Sequence, residues 1–305
     1  MTDWYLECSK CGATREADGL PTVCDACGKP WLVRYRDRTH PATEQTAAGG
    51  PGMWRYRSFL PLHPGEEPVS LGEGNTPLLR VPRLEAELGF GNLWVKDEAT
   101  NPTGSFKARG LCAAVTRAVA AGVTKFTLPT AGNAGVAASA YGARAGAAVR
   151  VFAPKTTPAP ILTQIRAFGA DLQLLDGHIG DCGKASREYS NASGAFDLST
   201  LREPYRIEGK KTMGLELAEQ LGWKLPDVII YPTGGGTGLI GMWKLSTNSP
   251  LPGGCQEKCR ACSRCSRTAV RRWSRRSPKA AECTLGRRRG RWPAGFGCRA
   301  LSGTA

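Results

Sequence analysis

A lysine closes the segment Asn101-Pro-Thr-Gly-Ser-Phe-Lys107, in which most neighbours are small or turn-forming. Ser105 can cap a helix that begins here, Gly104 allows close approach of another group, and Pro102 stiffens the turn. Most lysines are solvated at the surface. This setting instead places an amine at the start of a helix, beside room for a ligand, so we predict a chemical role for Lys107.

A glycine-rich turn, Thr-Gly-Gly-Gly-Thr-Gly, follows the apolar run Asp227–Tyr231, which we predict to be a strand. Free backbone amides in front of a helix favour an anion, because the helix dipole adds to their hydrogen bonds. The predicted phosphate-binding residues are Gly234, Gly235, Gly236, Thr237 and Gly238. A reactive lysine together with a phosphate site points to pyridoxal phosphate (PLP), which a lysine holds as a Schiff base.

A dinucleotide site is the competing interpretation of the same turn. Gly236–Gly241 fits the pattern G-x-G-x-x-G, which also requires an acidic residue about 20 positions later, after a second strand. Glu257 has about this separation, but no strand-like run precedes it. A cup for the phosphate of a smaller cofactor is therefore the favoured interpretation.

A further small-residue turn, Thr130–Gly135, lies at a predicted strand-to-helix junction. Thr130, Ala131 and Gly132 offer free amides suited to a substrate carboxylate, and Asn133 could bond a phenolic oxygen. A simple turn with a helix cap is the alternative. No G-x-S-x-G or Walker A sequence is present, and the three histidines are isolated in the sequence, so serine-hydrolase and P-loop chemistries are not indicated.

Four cysteines near the N-terminus form the pattern C-x2-C-x12-C-x2-C. Each pair is followed by a glycine, which allows a tight turn that exposes amides to the sulfurs. The predicted ligands of a structural Zn²⁺ ion are Cys8, Cys11, Cys24 and Cys27. Four sulfur ligands leave no open coordination position, so the site is predicted to be structural rather than catalytic. Four unrelated free thiols are the alternative.

Charge is distributed very unevenly along the 305 residues. The segment 245–305 carries a net charge of +12 out of the chain's +15, with six cysteines and little apolar patterning. We interpret this segment as disordered or as the product of a shifted reading frame. Two alternatives stay open, a nucleic-acid-binding arm and a second metal module built on Cys259, Cys262 and Cys265.

The body of the chain alternates predicted strands with predicted helices. The predicted strands are Leu93–Lys96, Lys125–Leu128, Val149–Phe152, Asp171–Leu175 and Asp227–Tyr231. The predicted helices are Ser105–Ala121, Gly132–Ala145, Ile161–Phe168, His178–Ser190 and Met213–Leu221. This order predicts an α/β fold with a doubly wound, mostly parallel sheet and sites at the carboxyl ends of its strands.

Four segments follow from these patterns. We predict a zinc-ribbon module at 1–36, a linker at 37–70, a cofactor-binding body at 71–244 and the basic tail at 245–305. No apolar run is long enough to span a membrane, and the N-terminus does not resemble a secretory signal, so we expect a cytoplasmic location.

Three segments, in this order and separation, resemble the fold-type II PLP enzymes: Asn101–Lys107, Thr130–Gly135 and Thr233–Gly238. The longer stretch Asn101–Gly110, preceded by Gly74–Leu78, is similar to the threonine synthase family, some members of which carry an N-terminal zinc ribbon. The resemblance implies a tryptophan synthase β-like fold of parallel sheets. Nothing after residue 244 matches the family pattern, which implies a truncated fold without the hydroxyl residue that faces the pyridine nitrogen. We therefore expect weak or no activity from the chain as written.

The same resemblance implies roles for individual residues. Lys107 would form the Schiff base, Asn133 would contact the cofactor's 3-hydroxyl, residues 234–238 would hold its phosphate, and Arg206 would lie near the substrate phosphate. The implied reaction converts O-phospho-L-homoserine and water to L-threonine and phosphate.

Other functions stay open at this point. Another fold-type II lyase, such as a serine/threonine dehydratase or a cysteine synthase, shares the cofactor motifs. A non-catalytic zinc-ribbon protein whose tail binds nucleic acid is the alternative from a different class. The expected partner is a small-molecule substrate, a homodimer is one candidate assembly, and neither a membrane nor nucleic acid is expected.

Overall fold

The computed structural model describes residues 4–36, 50–89, 91–224, 226–232 and 234–248. Of the predicted basic tail, only the backbone of its first four residues, at the end of a helix, falls within these ranges, so the interpretations of 249–305 lie outside them. Within the described ranges, every helix is too short or too polar to cross a bilayer.

An antiparallel three-stranded sheet forms the N-terminal module. β1 (Trp4–Cys8) lies in the centre, between β2 (Thr14–Glu16) and β3 (Trp31–Tyr35). Alternate residues of β1 and β3 are buried, as expected for a sheet with one covered face. Leu6 and Val33 lie opposite each other in this core and are fully buried.

The second part of the predicted linker is packed against the body. Residues Gly52–Phe59 form a 3₁₀ helix, and Met53 and Tyr56 on it are fully buried. The hydroxyl of Tyr56 donates to Glu219, and the amide of Met53 donates to the carbonyl of Glu73 at 2.8 Å. This part of the segment is therefore structured rather than a free connection, because its apolar side chains complete the core.

A parallel four-stranded sheet, in the order β8-β7-β6-β9, forms the centre of the body. Its strands are β6 (Lys125–Pro129), β7 (Ala148–Pro154), β8 (Asp171–Leu175) and β9 (Phe196–Asp197), and the helices between them are α3 (Asn133–Arg144), α4 (Ala159–Ala167) and α5 (Ile179–Ser193). Helix α5 covers one face, where Ser186 lies 3.0 Å from the hydroxyl of Thr127. Helix α3 covers the other face, where Gly142 packs on Val149. Helices on both faces confirm the predicted doubly wound α/β fold.

The predicted strand Leu93–Lys96 does not join this sheet. It forms β5 (Trp94–Lys96), which pairs antiparallel with β4 (Leu78–Arg80) in a separate two-stranded sheet. Helix α1 (Pro82–Leu88) connects the two strands. The sheet assignment therefore needed the tertiary pairing, since periodicity alone does not identify a strand's neighbour.

The predicted strand Asp227–Tyr231 is wrong for the structure as it stands, because these residues have no regular secondary structure. Val228, Ile229 and Ile230 are exposed, and Ile230 is 90% exposed. A strand needs a hydrogen-bonding neighbour, and no described strand lies beside this run.

The last two described helices pack on each other, and the first of them also packs on α2 (Lys107–Ala120). The predicted helix Met213–Leu221 is the second half of α6 (Tyr205–Gln220), and α7 (Thr237–Asn248) follows the glycine turn. Nearly every side chain of α6 is buried, including charged ones. Polar and apolar residues are therefore mixed around the first half of α6, and the sequence there does not show the separate polar and apolar faces from which a helix is predicted.

Candidate active site

Lys107 is the first residue of α2, close to the predicted start of this helix at Ser105. Its backbone amide lies 3.4 Å from the hydroxyl of Ser105, and Gly104 takes a positive φ of 66° in the turn before it. Its Nζ lies 3.4 Å from the centroid of the Phe106 ring. Partial burial, together with the charge of Arg206, lowers the pKa of Lys107 to about 8. The amine is thus closer to its reactive neutral form than an exposed lysine.

A buried ionic network holds the turn that carries Lys107. Arg109 is fully buried and donates to Glu98 at 2.7 Å and to Glu216 at 2.7 Å. Glu216 also accepts from the amide of Asn75 at 2.7 Å, and Gly74 donates its amide to Asn101. The network therefore ties the 74–76 loop and α6 to the start of α2.

The glycine turn lies directly before α7, which begins at Thr237. Gly236 takes a positive φ of 73°, so a residue with a Cβ would be strained there. A Cβ on Gly235 would lie 2.6 Å from Thr200, whereas a Cβ on Gly234 would meet nothing within 4 Å. Thr233 lies outside the described residues. The turn therefore combines close packing on one side with open space at Gly234.

Arg206 is buried in the first turn of α6. Its Nη1 donates to the carbonyl of Leu198 at 2.6 Å, and Leu198 directly follows β9. Its Nε is buried and has no hydrogen-bond partner among the described residues. The guanidinium thus lies at the carboxyl end of the parallel sheet with hydrogen-bonding capacity to spare.

The predicted carboxylate-binding turn lies at the end of β6, next to β9 in the sheet. The hydroxyl of Thr130 accepts from the amides of Gly132 at 3.1 Å and Gly135 at 3.0 Å, which shapes the turn. Asn133 begins α3 and is exposed, as is Ala131. Among the described residues, no hydrogen bond joins this turn to Lys107 or to the glycine turn. The turn shares with Arg206 the carboxyl end of the parallel sheet, where β6 and β9 lie side by side.

Lys210 lies at the same site, although no sequence pattern predicted a role for it. Its Nζ donates to the hydroxyl of Thr237 and lies 5.2 Å from the centroid of the Phe106 ring, the ring that Lys107 also contacts. Burial, with the charges of Arg206 and Lys107, lowers the pKa of Lys210 to about 6. The only available signal was a Lys-Lys pair in a segment where no helix was predicted.

The four N-terminal cysteines form one cluster. Their sulfurs all lie within 4.8 Å of one another, with 3.4 Å between Cys8 and Cys27 and 3.7 Å between Cys11 and Cys24. The backbone amides of Cys11 and Lys10 lower the pKa of Cys8 to about 6, whereas the nearby sulfur of Cys8 raises the pKa of Cys27 to about 11, because neighbouring thiolates repel each other in the absence of a cation. The cluster can therefore hold a metal ion. By contrast, Cys112 and Cys182 are buried apart from it, as expected for packing residues.

A lysine at a helix start, a glycine turn before another helix and a buried arginine thus meet beside a parallel sheet. The model of one family, described as pyridoxal-phosphate dependent enzyme, matches residues 69–256. The chain belongs to this family, and its body has the fold-type II architecture.

Individual relatives of the chain include threonine synthases from several organisms. The chain is 35% identical to threonine synthase from Methanocaldococcus jannaschii over 243 residues, which cover 78% of the chain and 59% of the relative. It is 34% identical to threonine synthase from Methanosarcina acetivorans over 243 residues, which cover 79% of the chain and 59% of the relative. The chain thus spans 59% of the length of each of these relatives.

Solved structures of related enzymes share the fold. A structure of O-ureido-L-serine synthase superposes with a TM-score of 0.53 at 25% identity, covering 61% of this chain and 58% of that one. A fungal L-serine ammonia-lyase from Rhizomucor miehei superposes with a TM-score of 0.50 at 28% identity, covering 56% and 55% of the two chains.

Proposed function

We propose that this chain binds PLP and belongs to an enzyme that converts O-phospho-L-homoserine and water to L-threonine and phosphate. The observation that carries the proposal is the convergence of Lys107, Arg206 and the glycine turn in one site. The 34–37% identity to threonine synthases supports this substrate over others.

The residues present fit the cofactor. The Nε of Arg206 makes no hydrogen bond among the described residues and lies 4.0 Å from Glu203. Together with the open space at Gly234, it leaves room and hydrogen-bonding capacity for an anionic ligand. The amides of residues 234–238 would hold the cofactor phosphate in front of α7. Lys107 would bind its aldehyde carbon, and Asn133 would bond its 3-hydroxyl.

The protein's own groups would perform the remaining steps. When bound, PLP supplies an electron sink for charge that develops on the substrate. Lys107 would move protons at the substrate's Cα and Cβ, for which a pKa of about 8 is suited near neutral pH. Thr130, Ala131 and Gly132 would bind the substrate carboxylate, and Arg206 would bind the phosphate that leaves.

The cysteine cluster would bind zinc. A tetrahedron with Zn–S bonds of about 2.3 Å has S–S edges of about 3.8 Å, close to the spacing of these sulfurs. Glycines at φ of 73° and 64°, Gly12 and Gly28, form the turns after each cysteine pair. The ion would stabilise a module whose hydrophobic core is small.

The decisive experiment offers the purified chain two kinds of substrate. With PLP present, we expect at most slow turnover of O-phospho-L-homoserine, which would release threonine and inorganic phosphate in equal amounts. L-serine and L-threonine test the alternative of a dehydratase, for which the ammonia-lyase likeness is the supporting observation. Keto-acid formation from these amino acids, with no turnover of the phosphorylated substrate, would favour the dehydratase instead.

A further inference from the structure

Lys210 is a buried lysine that the proposed reaction does not use. It lies on α6 and is only 1% exposed. Its Nζ donates to the hydroxyl of Thr237, and its Cε would lie 3.0 Å from a Cβ placed on Gly110 of α2. Lysines this buried normally have a charged partner. Among the residues that the structure describes, no carboxylate lies within ion-pair distance of Lys210.

The charges around this amine are mainly positive. Arg206 lies one turn earlier on α6, and Lys107 lies at the start of α2. After burial, which has the largest effect, both charges lower the pKa of Lys210, while Glu203 acts in the opposite direction. Burial also raises the pKa of Glu203 to about 7, so this carboxyl compensates only in part. The arrangement therefore favours a bound anion.

We propose that Lys210 is an anion-binding residue of the glycine turn, which holds the phosphate of a phosphate-monoester cofactor as an ammonium ion. Thr237 supports this assignment because it is both the hydrogen-bond acceptor of Lys210 and the first residue of α7. The amine thus lies one side-chain contact from the predicted phosphate position. The inference rests on the proposed cofactor site and adds to it a ligand of opposite charge.

Proton uptake on binding of the phosphate distinguishes a charged, anion-binding role of Lys210 from a purely structural role. With a pKa of about 6 in the free site, the amine is mostly neutral at pH 7. A phosphate dianion favours the ammonium form, so binding should draw close to one proton from the solvent. At pH 7, Lys107, with a pKa of about 8, is already mostly protonated and contributes little to the uptake. Glu203, with a pKa of about 7, is about half protonated, so its contribution is the uptake that remains in a variant without the Lys210 amine.

The probe is pyridoxamine 5′-phosphate, which carries the phosphate but cannot bond covalently to a lysine. Its binding to the full chain is measured by calorimetry at pH 7 in two buffers of different ionisation enthalpy, which yields the proton uptake. The test variants are Lys210→Gln and Lys210→Met. Lys184→Met is the matched control, because Lys184 is exposed on α5 and pairs only loosely with Glu188.

We expect Lys210→Gln to weaken binding about 10- to 100-fold, as for loss of a charged hydrogen bond, and to abolish most of the proton uptake. Pyridoxamine without the phosphate should bind the original chain and the variant equally. Thermal unfolding identifies any variant that fails to fold. Lys210→Gln retains a polar group near Thr237, whereas Lys210→Met does not, so the two variants separate the charge from the polar contact.

Three results would overturn the inference, and only the last of them would also overturn the cofactor proposal. Unchanged affinity and proton uptake in Lys210→Gln, with binding intact in the original chain, would leave the cofactor site but exclude this role for Lys210. Weaker binding in Lys210→Met that Lys210→Gln restores, with no proton uptake in any chain, would make the residue a purely structural support of Thr237. Absence of phosphate-dependent binding in the original chain would remove both the inference and the cofactor proposal.

Discussion

Replacing Arg109 by methionine should strongly destabilise the body. The guanidinium is fully buried and joins Glu98 on the 98–100 turn to Glu216 on α6. Methionine matches the aliphatic stem of arginine but lacks the guanidinium, so it cannot pair with either carboxylate. The variant therefore leaves Glu216 buried, with Lys96 at 2.9 Å and Arg55 at 3.9 Å as its remaining cations.

Two lines of reasoning give the magnitude. Removing one partner of a buried ion pair costs about 3–5 kcal/mol, which is a large share of a typical stability of about 5–15 kcal/mol. Independently, burial raises the pKa of Glu216, but the hydrogen bonds and charge of Arg109, with the charge of Lys96, bring it down to about 2. Relative to 4.5, this pKa corresponds to roughly 3 kcal/mol.

The sign of the pH dependence follows from the depressed pKa. The contribution of Glu216 is fully present above pH 4.5 and is lost as the pH falls towards about 2. In Arg109→Met, by contrast, protonation of the underpaired Glu216 carboxylate should stabilise the folded state, because it removes a buried charge. The difference in stability between the original chain and the variant should therefore be largest near neutral pH and shrink below about pH 4.5.

Urea unfolding followed by tryptophan fluorescence at pH 7 and at pH 4 measures both effects. The double variant Arg109→Met with Glu216→Gln should recover part of the loss, because it removes the unpaired charge as well. Arg80→Met is the control, since Arg80 is exposed in its pair with Glu85 and should change stability by less than about 1 kcal/mol. A loss below about 1 kcal/mol for Arg109→Met, or no change in that loss between the two pH values, would refute this reasoning.

Three further predictions concern the cofactor, the metal and the buried charges. Lys107→Ala should abolish the yellow absorbance of lysine-bound PLP, and peptide mapping after borohydride reduction should find the label on Lys107; a label elsewhere would contradict the assignment. Metal analysis should find one zinc ion per chain, lost in Cys24→Ser but not in the control Cys182→Ser; full zinc content in Cys24→Ser would count against the site. Glu208 bonds the buried Lys211 at 2.6 Å and contacts Lys244, and its pKa is about 2 because these two charges outweigh burial. Glu208→Gln should therefore lower stability by about 3 kcal/mol at pH 7, less below about pH 4.5, in urea unfolding; equal stability would show that the shared carboxylate is dispensable.

Local features of the site could be predicted because contiguous residues encode them. The turn before Lys107 depends on glycine, proline and serine at fixed offsets, and the cysteine pairs depend on their spacing. The glycine turn likewise precedes a helix, α7, as its composition predicted. The alternation of strands and helices from 125 to 193 could also be predicted, because short apolar runs alternate there with longer segments of helical composition.

What the tertiary structure decided is which distant residues meet. Arg109 and Glu216 are 107 positions apart, and Lys210 contacts Thr237 across 27. On α6, buried lysines, arginine and glutamates remove the amphipathic pattern, so the helix start was placed too late. The run 227–231 has a strand-like composition but no strand beside it, and pairing rather than composition makes a strand. Charged groups acquire unusual pKa values only when packing removes water and brings other charges near. A linear sequence shows neither the burial of a side chain nor its distance from other charges.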